Sequence, residues 1–392
     1  MSVTGPAGFL AAGAACGIKD SGAPDIAVVC SETHQPVPAA AVFTSNKAKA
    51  APVLVSRRHL NETGGMAAAV VVSSGNANAQ TGKPGVAAAE RMCELAADGI
   101  GCEPAAVLVC QTGLIGVRFP VDRVESLESG IPNLVRQLAP GPEAAEKAAR
   151  AIMTTDTFCK QVLIDRPGFS VGGIAKGAAM LAPHMATMLA VLTTDARVDP
   201  AALRAALRVG VTESFNEMTV DGCCSTNDTV VVLSSGRAKA VPEADLRDAL
   251  VEACAALAEM MVTDAEGATK VARILVKGAA SDTDARRAAR QVASSLLVKC
   301  SLNGADPYWG RVVSELGSAG VEFDPDSVSV AYGGVRVCAG GVAVPHDEAA
   351  VFRHLAGGSV EIECDLDLGA GSASVLTCDL GHGYIDENRA TS

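Results

Sequence analysis

The most informative part of the chain reads Gly173-Ile-Ala-Lys-Gly-Ala-Ala-Met-Leu-Ala-Pro-His-Met-Ala-Thr-Met-Leu-Ala-Val-Leu-Thr-Thr-Asp-Ala196. It joins a run of Gly and Ala directly to a run of strand-forming apolar residues, and Thr187 lies at the junction. A β-branched residue at the start of a buried strand is a common placement, so spacing alone favours a structural role for Thr187. The segment therefore predicts a buried strand near Thr187 without assigning chemistry to it.

Short strand-forming runs alternate with Ala-rich amphipathic runs on both sides of this segment. The strand-forming runs cover residues 69–73, 106–110, 189–193, 229–233 and 272–276. The helix-forming runs cover residues 85–97, 142–153, 200–215, 242–261 and 283–297, and three of them carry Pro at the first turn. This mixture predicts a layered α/β or α+β fold.

Two further segments carry weaker signals. Residues 360–380 alternate in the manner of a pair of antiparallel strands, with Gly369-Ala-Gly-Ser372 as the candidate turn. Residues 126–141 contain two Pro and two Gly, which predicts a surface connection.

Composition excludes several classes of protein. Hydrophobic residues make up 49% of the chain and aromatic residues only 3%, so the core must consist mainly of small aliphatic side chains. The net charge of -12 argues against a nucleic acid or an anionic membrane as partner. The first residues show no signal-peptide pattern, and no apolar run approaches the roughly 20 residues of a membrane span. We therefore expect a cytoplasmic protein.

The cysteines and histidines lack metal-ligand spacing. The 13 cysteines include no C-x-x-C pair, and the only close pair is Cys223-Cys224. Scattered cysteines of this kind are typical of buried thiols in a reducing compartment. Ser74-Gly-Asn-Ala-Asn-Ala79 does not have the G-x-G-x-x-G spacing of a dinucleotide loop. We predict neither a metal nor a cofactor.

Three short motifs have plain structural interpretations when each is taken alone. Cys110-Gln-Thr-Gly-Leu-Ile-Gly116 follows a predicted strand and is typical of a Gly-containing turn. Ala151-Ile-Met-Thr-Thr-Asp-Thr157 follows a predicted helix and is typical of a polar turn. Asp264-Ala-Glu-Gly-Ala-Thr-Lys270 lies between a predicted helix and a predicted strand.

Together these motifs resemble those of the ornithine acetyltransferase family over essentially the whole chain. Residues 176–189 resemble the family's processing motif K-G-x-G-M-x-A-P-x-x-A-T-M-L, with Ala179 in place of its second Gly. The resemblance implies a DmpA-like αββα sandwich with a smaller C-terminal α/β domain of residues 281–392. It also implies self-cleavage between Ala186 and Thr187 into an α-chain of residues 1–186 and a β-chain of residues 187–392.

A new N-terminal threonine is suited to nucleophilic catalysis. Its hydroxyl is too weakly acidic to attack a carbonyl unaided and needs a neighbouring base. An α-amine has a reference pKa of about 7.7–8.0, against about 10.4 for lysine, so the amine of Thr187 is the better base near neutral pH. The resemblance further implies that Thr112 and Gly113 form the oxyanion hole. A donor of this kind contributes a factor of about 10²–10³ to turnover.

The resemblance also assigns the substrate-binding residues. Thr154 and Lys176 match positions that bind substrate, and Lys plus Thr can supply a cation and a hydroxyl to a carboxylate. Glu266 matches the family's substrate-binding glutamate and suits a cationic amino group. The C-terminus supplies Asn388 and a hydroxyl residue, Ser392.

Several departures from the family pattern bear on the choice of substrate. Gln111 replaces a common Ser, and Tyr308 replaces an Asn in Asp306-Pro-Tyr-Trp-Gly-Arg311. The tail is one residue short and lacks the usual Tyr, so Thr391 is an alternative to Ser392 as the terminal hydroxyl.

The function predicted from sequence is acetyl transfer from N-acetylornithine to glutamate by a ping-pong mechanism on Thr187, in arginine biosynthesis. Acetyl-CoA is an additional candidate donor, and two α-chains with two β-chains are the expected assembly. Three alternatives stay open: a self-processing aminopeptidase or amidohydrolase, an uncleaved small-molecule-binding protein, and an acyltransferase of specialised metabolism.

Overall fold

The computed structural model describes residues 2–118, 124–182 and 188–389, with the side chains of 124–126 excepted. Strands within these ranges are β1 (Phe9–Ala14), β2 (Ile26–Ser31), β3 (Val37–Phe43), β4 (Met66–Ala67), β5 (Ala69–Asn76), β6 (Val107–Leu114), β7 (Lys160–Arg166), β8 (Phe169–Lys176), β9 (Leu189–Thr194), β10 (Met218–Thr219), β11 (Thr229–Ser234), β12 (Val271–Ala279), β13 (Ser329–Tyr332), β14 (Val335–Ala339), β15 (Val342–Ala343), β16 (Ser359–Asp365) and β17 (Gly371–Cys378). Helices are α1 (Ala51–Glu62), α2 (Gly82–Ile100), α3 (Val124–Val135), α4 (Pro142–Ala151), α5 (Pro200–Thr212), α6 (Glu243–Thr263), α7 (Asp282–Ser294), α8 (Leu296–Asn303), α9 (Gly310–Ser318), α10 (Glu348–Leu355) and α11 (His382–Glu387). The five strand-forming runs predicted from sequence are all confirmed as strands.

The chain divides into two compact units. The first contains Met1–Met180, His184–Asn216 and Cys224–Met261, and the second contains Leu181–Pro183, Glu217–Cys223 and Val262–Ser392. In the second unit, β12 precedes residue 281 and is hydrogen-bonded between β16 and β17. The C-terminal domain expected from residue 281 onward stays a prediction.

The first unit contains two β-sheets. One has four strands in the order β1-β2-β5-β6, and the other has six in the order β4-β3-β11-β9-β8-β7. Alternate residues of each strand point to opposite faces. In β5, for example, Val70 and Val72 join a core cluster shared with Val191 of β9 and Val231 of β11. The two sheets therefore pack face to face.

Helices cover the outer faces of both sheets. Val71 of β5 points away from the other sheet and packs in a cluster with Met92 of α2 and Ile131 of α3. On the far side, α5 packs on β3, and Leu257 of α6 lies close to Gly173 of β8. The layer order is helix, sheet, sheet, helix, so the predicted αββα sandwich is confirmed.

The small-residue core allows backbones to approach closely, as at β1 and α4. A Cβ atom added to Gly13 of β1 would lie 2.1 Å from the carbonyl oxygen of Lys147 in α4. Beside it, α4 turns Ala144, Ala145, Ala148 and Ala149 inward, each fully or almost fully buried. Alanine and glycine thus replace the bulky aromatic side chains that the composition lacks.

The second unit has one seven-stranded sheet in the order β10-β17-β12-β16-β13-β14-β15. Residues 360–380 do form two strands, but the prediction that these pair with each other is wrong. β12 lies between them, parallel to β16 and antiparallel to β17. Alternation reports which face of a strand is buried, and it carries no information about the neighbouring strand.

Two other expectations also need correction. Residues 126–141 are not simply a surface connection, because α3 occupies the first part and buries Leu127, Ile131 and Leu134. The helix predicted to run to residue 297 ends at Ser294, because Ser295 is extended and its side chain caps α8. Over the described ranges, none of the helices is both long and apolar enough to span a membrane.

We predict that Gly13→Ala destabilises the protein. The added methyl group would overlap the α4 backbone, and overpacking of this kind costs about 1–3 kcal/mol. Urea unfolding followed by circular dichroism measures the loss. Gly317→Ala in α9 is the control, because nothing lies within 4 Å of the added Cβ and Ala favours a helix. Equal effects from the two substitutions would contradict the close approach of β1 and α4.

Candidate active site

The register of β9 brings three chain segments together. Leu189, its first residue, pairs with Lys176 at the end of β8 on one side and with Thr229 at the start of β11 on the other. Ala186 and Thr187 lie outside the described residues, and Met188 is the first described residue after them. The segment that follows the predicted nucleophile is therefore flanked by a predicted substrate-binding lysine and by the start of β11.

Thr112 and Gly113 lie at the carboxyl end of β6. Parallel pairing with β5 sets Thr112 opposite Ser74 and Gly113 opposite Gly75. Gly113 has a φ of 135°, and a Cβ there would lie 2.3 Å from the carbonyl carbon of Gly75. Only glycine fits this position. Thr112 is buried, and its Oγ1 accepts a hydrogen bond from Lys176 Nζ at 3.5 Å.

A small pocket adjoins this pair of residues. Its lining consists of Ala77, Thr112, Gly113, Ile115, Met180, Ser225 and Asn227. The Thr-Gly pair predicted as an oxyanion hole thus lines a pocket together with Ser225 and Asn227, which precede β11.

Buried amides hold the end of β6 in place. Asn227 Nδ2 donates to the carbonyl oxygens of Ala77 at 2.6 Å and of Gln111 at 2.8 Å. The Gln111 side chain accepts from Asn78 Nδ2 at 2.8 Å and donates to Ser73 Oγ at 3.2 Å. Gln111, which departs from the family pattern, is therefore paired through both polar atoms of its amide.

Asp156 is a carboxylate that hydrogen-bonds to the backbone at or next to two predicted substrate-binding residues of this unit, Thr154 and Lys176. Its Oδ1 accepts from Lys160 Nζ at 2.7 Å and from the Gly177 amide at 2.7 Å, while Oδ2 accepts from the Thr154 amide at 3.0 Å. Burial acts to raise the pKa of Asp156, but Lys176 and Lys160 oppose it and the pKa falls to about 2. The carboxyl group is therefore ionised at neutral pH.

Lys19 is a further cation near Asp156, and the sequence motifs did not single it out. Its Nζ donates to the carbonyl oxygens of Met153 at 2.7 Å and Pro24 at 2.8 Å. Burial lowers its pKa, with the charge of Asp25 opposing and that of Lys176 adding to the effect. The Asp25 carboxylate accepts the backbone amides of residues 16, 18 and 19, which fixes the loop that carries Lys19.

Asp228 is another buried carboxyl group that the sequence motifs above do not single out. It is fully buried, and its Oδ1 accepts the amide of Met188, the residue after Thr187, at 3.1 Å. Its Oδ2 makes no hydrogen bond to any residue in the part of the chain that the structure describes. Burial raises the pKa of Asp228 well above its usual range, although the Met188 amide and the Ser225 hydroxyl act in the opposite direction.

The second unit carries the remaining described candidates. Asn388 Nδ2 donates to Glu266 Oε2 at 2.9 Å, so these two predicted binding residues are in direct contact. The loop that holds Glu266 is fixed by Asp379, which accepts the amides of Thr269 and Lys270 and the Asn303 side chain. Ser392 and its alternative Thr391 lie outside the described residues.

Within the described part of the chain, no group of three or more His, Cys, Asp or Glu side chains could hold a metal ion. Tyr308, the other departure from the family pattern, is 60% exposed. The binding and catalytic roles of Thr112, Gly113, Thr154, Lys176, Glu266 and Asn388 remain predictions.

Fold and site define an αββα-sandwich protein with a cluster of buried polar residues at the ends of its central strands. The ArgJ family model matches residues 10–391, nearly the whole chain. The chain therefore belongs to the ArgJ family, and the family resemblance predicted from the motifs is confirmed.

Individual relatives agree with this membership. The chain is 48% identical over 399 residues to the arginine biosynthesis bifunctional protein ArgJ of Mycolicibacterium paratuberculosis, covering 100% of this chain and 96% of that protein. A crystal structure of ArgJ from Bacillus halodurans is 36% identical and covers 50% of this chain and 96% of its own, with a TM-score of 0.48. An ornithine acetyltransferase from Mycobacterium tuberculosis, solved with ornithine, is 44% identical and covers 46% and 94%, with a TM-score of 0.43.

We predict that Asp228→Asn flattens the pH dependence of stability. A carboxyl group with a raised folded-state pKa favours folding fully below its unfolded value of 3.8, and this contribution is lost as the pH rises towards the folded-state pKa. The free energy of unfolding of the wild type should therefore fall over that interval relative to the variant. Urea titrations from about pH 4 upward measure it. Parallel curves for the two proteins would contradict the buried, proton-retaining carboxyl group.

Proposed function

We propose that this chain is a self-cleaving ornithine acetyltransferase that moves an acetyl group from N-acetylornithine to glutamate in arginine biosynthesis. The observation that carries the proposal is the ArgJ family match over residues 10–391. The name of the M. paratuberculosis relative supports the pathway, and that of the M. tuberculosis neighbour supports the reaction and ornithine as a ligand.

Self-cleavage generates the nucleophile. The hydroxyl of Thr187 attacks the carbonyl carbon of Ala186 and the peptide nitrogen leaves, which converts the amide into an ester. Water then hydrolyses the ester. The products are a carboxylate on Ala186 and a free amine on Thr187, which becomes the base for its own hydroxyl.

In the first half-reaction the hydroxyl oxygen of Thr187 attacks the acetyl carbonyl of N-acetylornithine. The Thr187 amine takes the hydroxyl proton, and Thr112 and Gly113 stabilise the negative charge on the tetrahedral intermediate. Collapse breaks the bond to the ornithine nitrogen, which receives the proton. An acetyl ester remains on Thr187, and ornithine leaves.

In the second half-reaction the neutral amine of glutamate attacks the ester carbonyl. Its proton passes to the Thr187 amine and then to the leaving hydroxyl oxygen, so the enzyme is regenerated with N-acetylglutamate as product. In the first unit, Thr154 and Lys176 offer a hydroxyl group and a cation to a carboxylate. In the second, Glu266 offers a carboxylate to an ammonium group, and Asn388 and Ser392 offer polar groups. Asp156, which accepts the amides of Thr154 and of Gly177 next to Lys176, supports the first grouping, and the hydrogen bond from Asn388 to Glu266 supports the second.

The proposal includes an assembly and a compartment. Two α-chains of residues 1–186 and two β-chains of residues 187–392 form the enzyme. A cytoplasmic location is supported by the cysteines, because none of the 13, all of which lie in the described ranges, forms a disulfide, as expected in a reducing compartment.

The decisive experiment follows ornithine release from N-acetylornithine with and without glutamate. We expect glutamate-dependent release by the wild type and two chains by mass spectrometry. Thr187→Ala should remain a single chain and release no ornithine, whereas Thr187→Ser, which keeps a hydroxyl, should still cleave. A parallel assay supplies acetyl-CoA and glutamate. It tests acetyl-CoA as the additional donor expected from the sequence, since the M. paratuberculosis relative is named a bifunctional protein.

Other outcomes separate the competing functions. Release at the same rate without glutamate would identify a hydrolase, since water would then take the acetyl group. A wild type that stays uncleaved and inactive would support the remaining alternative, a protein that only binds a small molecule. Cleavage with no release would indicate a different acyl amino acid, as expected of an enzyme of specialised metabolism.

We also predict that Thr112→Val lowers turnover by about 10²–10³ because one donor to the oxyanion is lost. KM should change little, since the donor acts mainly on the transition state. Thr193→Val is the control, because the Thr193 hydroxyl donates to the backbone of Val3 and its loss should affect stability alone. A large rise in KM for Thr112→Val at unchanged turnover would instead assign Thr112 to substrate binding.

A further inference from the structure

A buried lysine interrupts the apolar face of β7. Lys160, Val162 and Ile164 alternate inward, and the Lys160 side chain is fully buried. A buried ammonium group requires a partner, and Asp156 supplies it at 2.7 Å, also from a fully buried side chain. The Phe158 ring lies 4.9 Å from the same nitrogen and adds a cation–π contact.

The same carboxylate connects two separate pieces of backbone. Through Oδ2 it holds the amide of Thr154, and through Oδ1 it holds the amide of Gly177, the residue after Lys176. Asp156 therefore ties the turn after α4 to the end of β8. The carboxylate thus hydrogen-bonds to the backbone of Thr154 itself and to that of the residue next to Lys176.

We propose that Asp156 is the positioning residue of the substrate carboxylate site, with Lys160 as the buried counter-ion that keeps it in place. This inference rests on the proposed function and assigns Asp156 no contact with the substrate. Its two oxygens fix the spacing between Thr154 and Lys176, and that spacing must match a carboxylate group.

The local charges agree with a site for an anionic group. Lys19, Lys160 and Lys176 surround Asp156, and Asp25 adds one more carboxylate at Lys19. Three cations against two anions leave an excess of positive charge. Lys19 reinforces the same geometry, because it holds the carbonyl of Met153 next to Thr154.

The experiment compares three variants. Asp156→Asn removes the charge and leaves two cations without their shared partner, which by itself threatens folding. Asp156→Asn combined with Lys160→Met removes both members of the ion pair and avoids that imbalance. Asp195→Asn is the matched control, because Asp195 accepts the amides of Ser170 and Ala7 at the opposite end of β8, about 20 Å from Lys176.

Two measurements are made on each protein that forms two chains: steady-state kinetics with N-acetylornithine, and calorimetric binding of L-ornithine. We expect the double variant to raise KM and the dissociation constant at least tenfold while kcat changes less than threefold. The control should leave both constants at wild-type values. A merely structural Asp156 would lower the amount of folded enzyme and leave KM unchanged.

A double variant that binds L-ornithine with the wild-type constant overturns the inference. If the wild type binds L-ornithine and the double variant binds it weakly, but neither transfers acetyl groups, the proposed function fails and the inference stands. A wild type that neither binds nor transfers overturns both.

Discussion

The register of β9 between β8 and β11 is the constraint on which the site of the first unit depends. Because Leu189 pairs with Lys176 on one side and with Thr229 on the other, the segment after Thr187 enters the sheet between a lysine and a buried aspartate. A slip by one residue would turn every side chain of β9 to the opposite face, which would take Val191 out of the core between the sheets and Leu192 away from Gly173. The fully buried strand β9 thus fixes where the chain passes from the apolar core to the polar residues of the site.

Much of the fold could be predicted from hydrophobic patterns, but strand neighbours could not. The runs at β5, β6, β9, β11 and β12 are short, β-branched and apolar, so they were recognisable as strands. The pairing of β16 with β17 was predicted wrongly because the sequence of the loop that joins them does not show that β12 lies between them. In α3, the Gly and Pro residues that predicted a connection concealed an apolar stripe of helical spacing.

The candidate site was predictable where a residue belongs to a motif and hidden where its role arises from burial. Thr112 and Lys176 were identified from motifs, and they are in contact. Asp156 lies within one of those motifs, yet only burial distinguishes it from any polar turn residue. A signal was available in the sequence: Lys160 occupies an inward position of an alternating strand, and a lysine there requires an acid nearby. No comparable pattern marks Asp228.

Asp156 and Asp228, two of the buried aspartates of the first unit, show how the groups around a buried carboxyl group decide the direction of its pKa shift. Asp156 is surrounded by lysines and amide donors, so the charged form prevails despite burial. Asp228 accepts the Met188 amide, and its Oδ2 has no hydrogen bond to the described residues, so desolvation prevails and its pKa is raised. Carboxyl groups whose pKa values are driven apart are typical of enzyme sites, where one group holds a charge and the other holds a proton. Asp228 thus sets a buried carboxyl group against the backbone of the residue that follows Thr187, whereas Asp156 anchors the backbone next to Lys176.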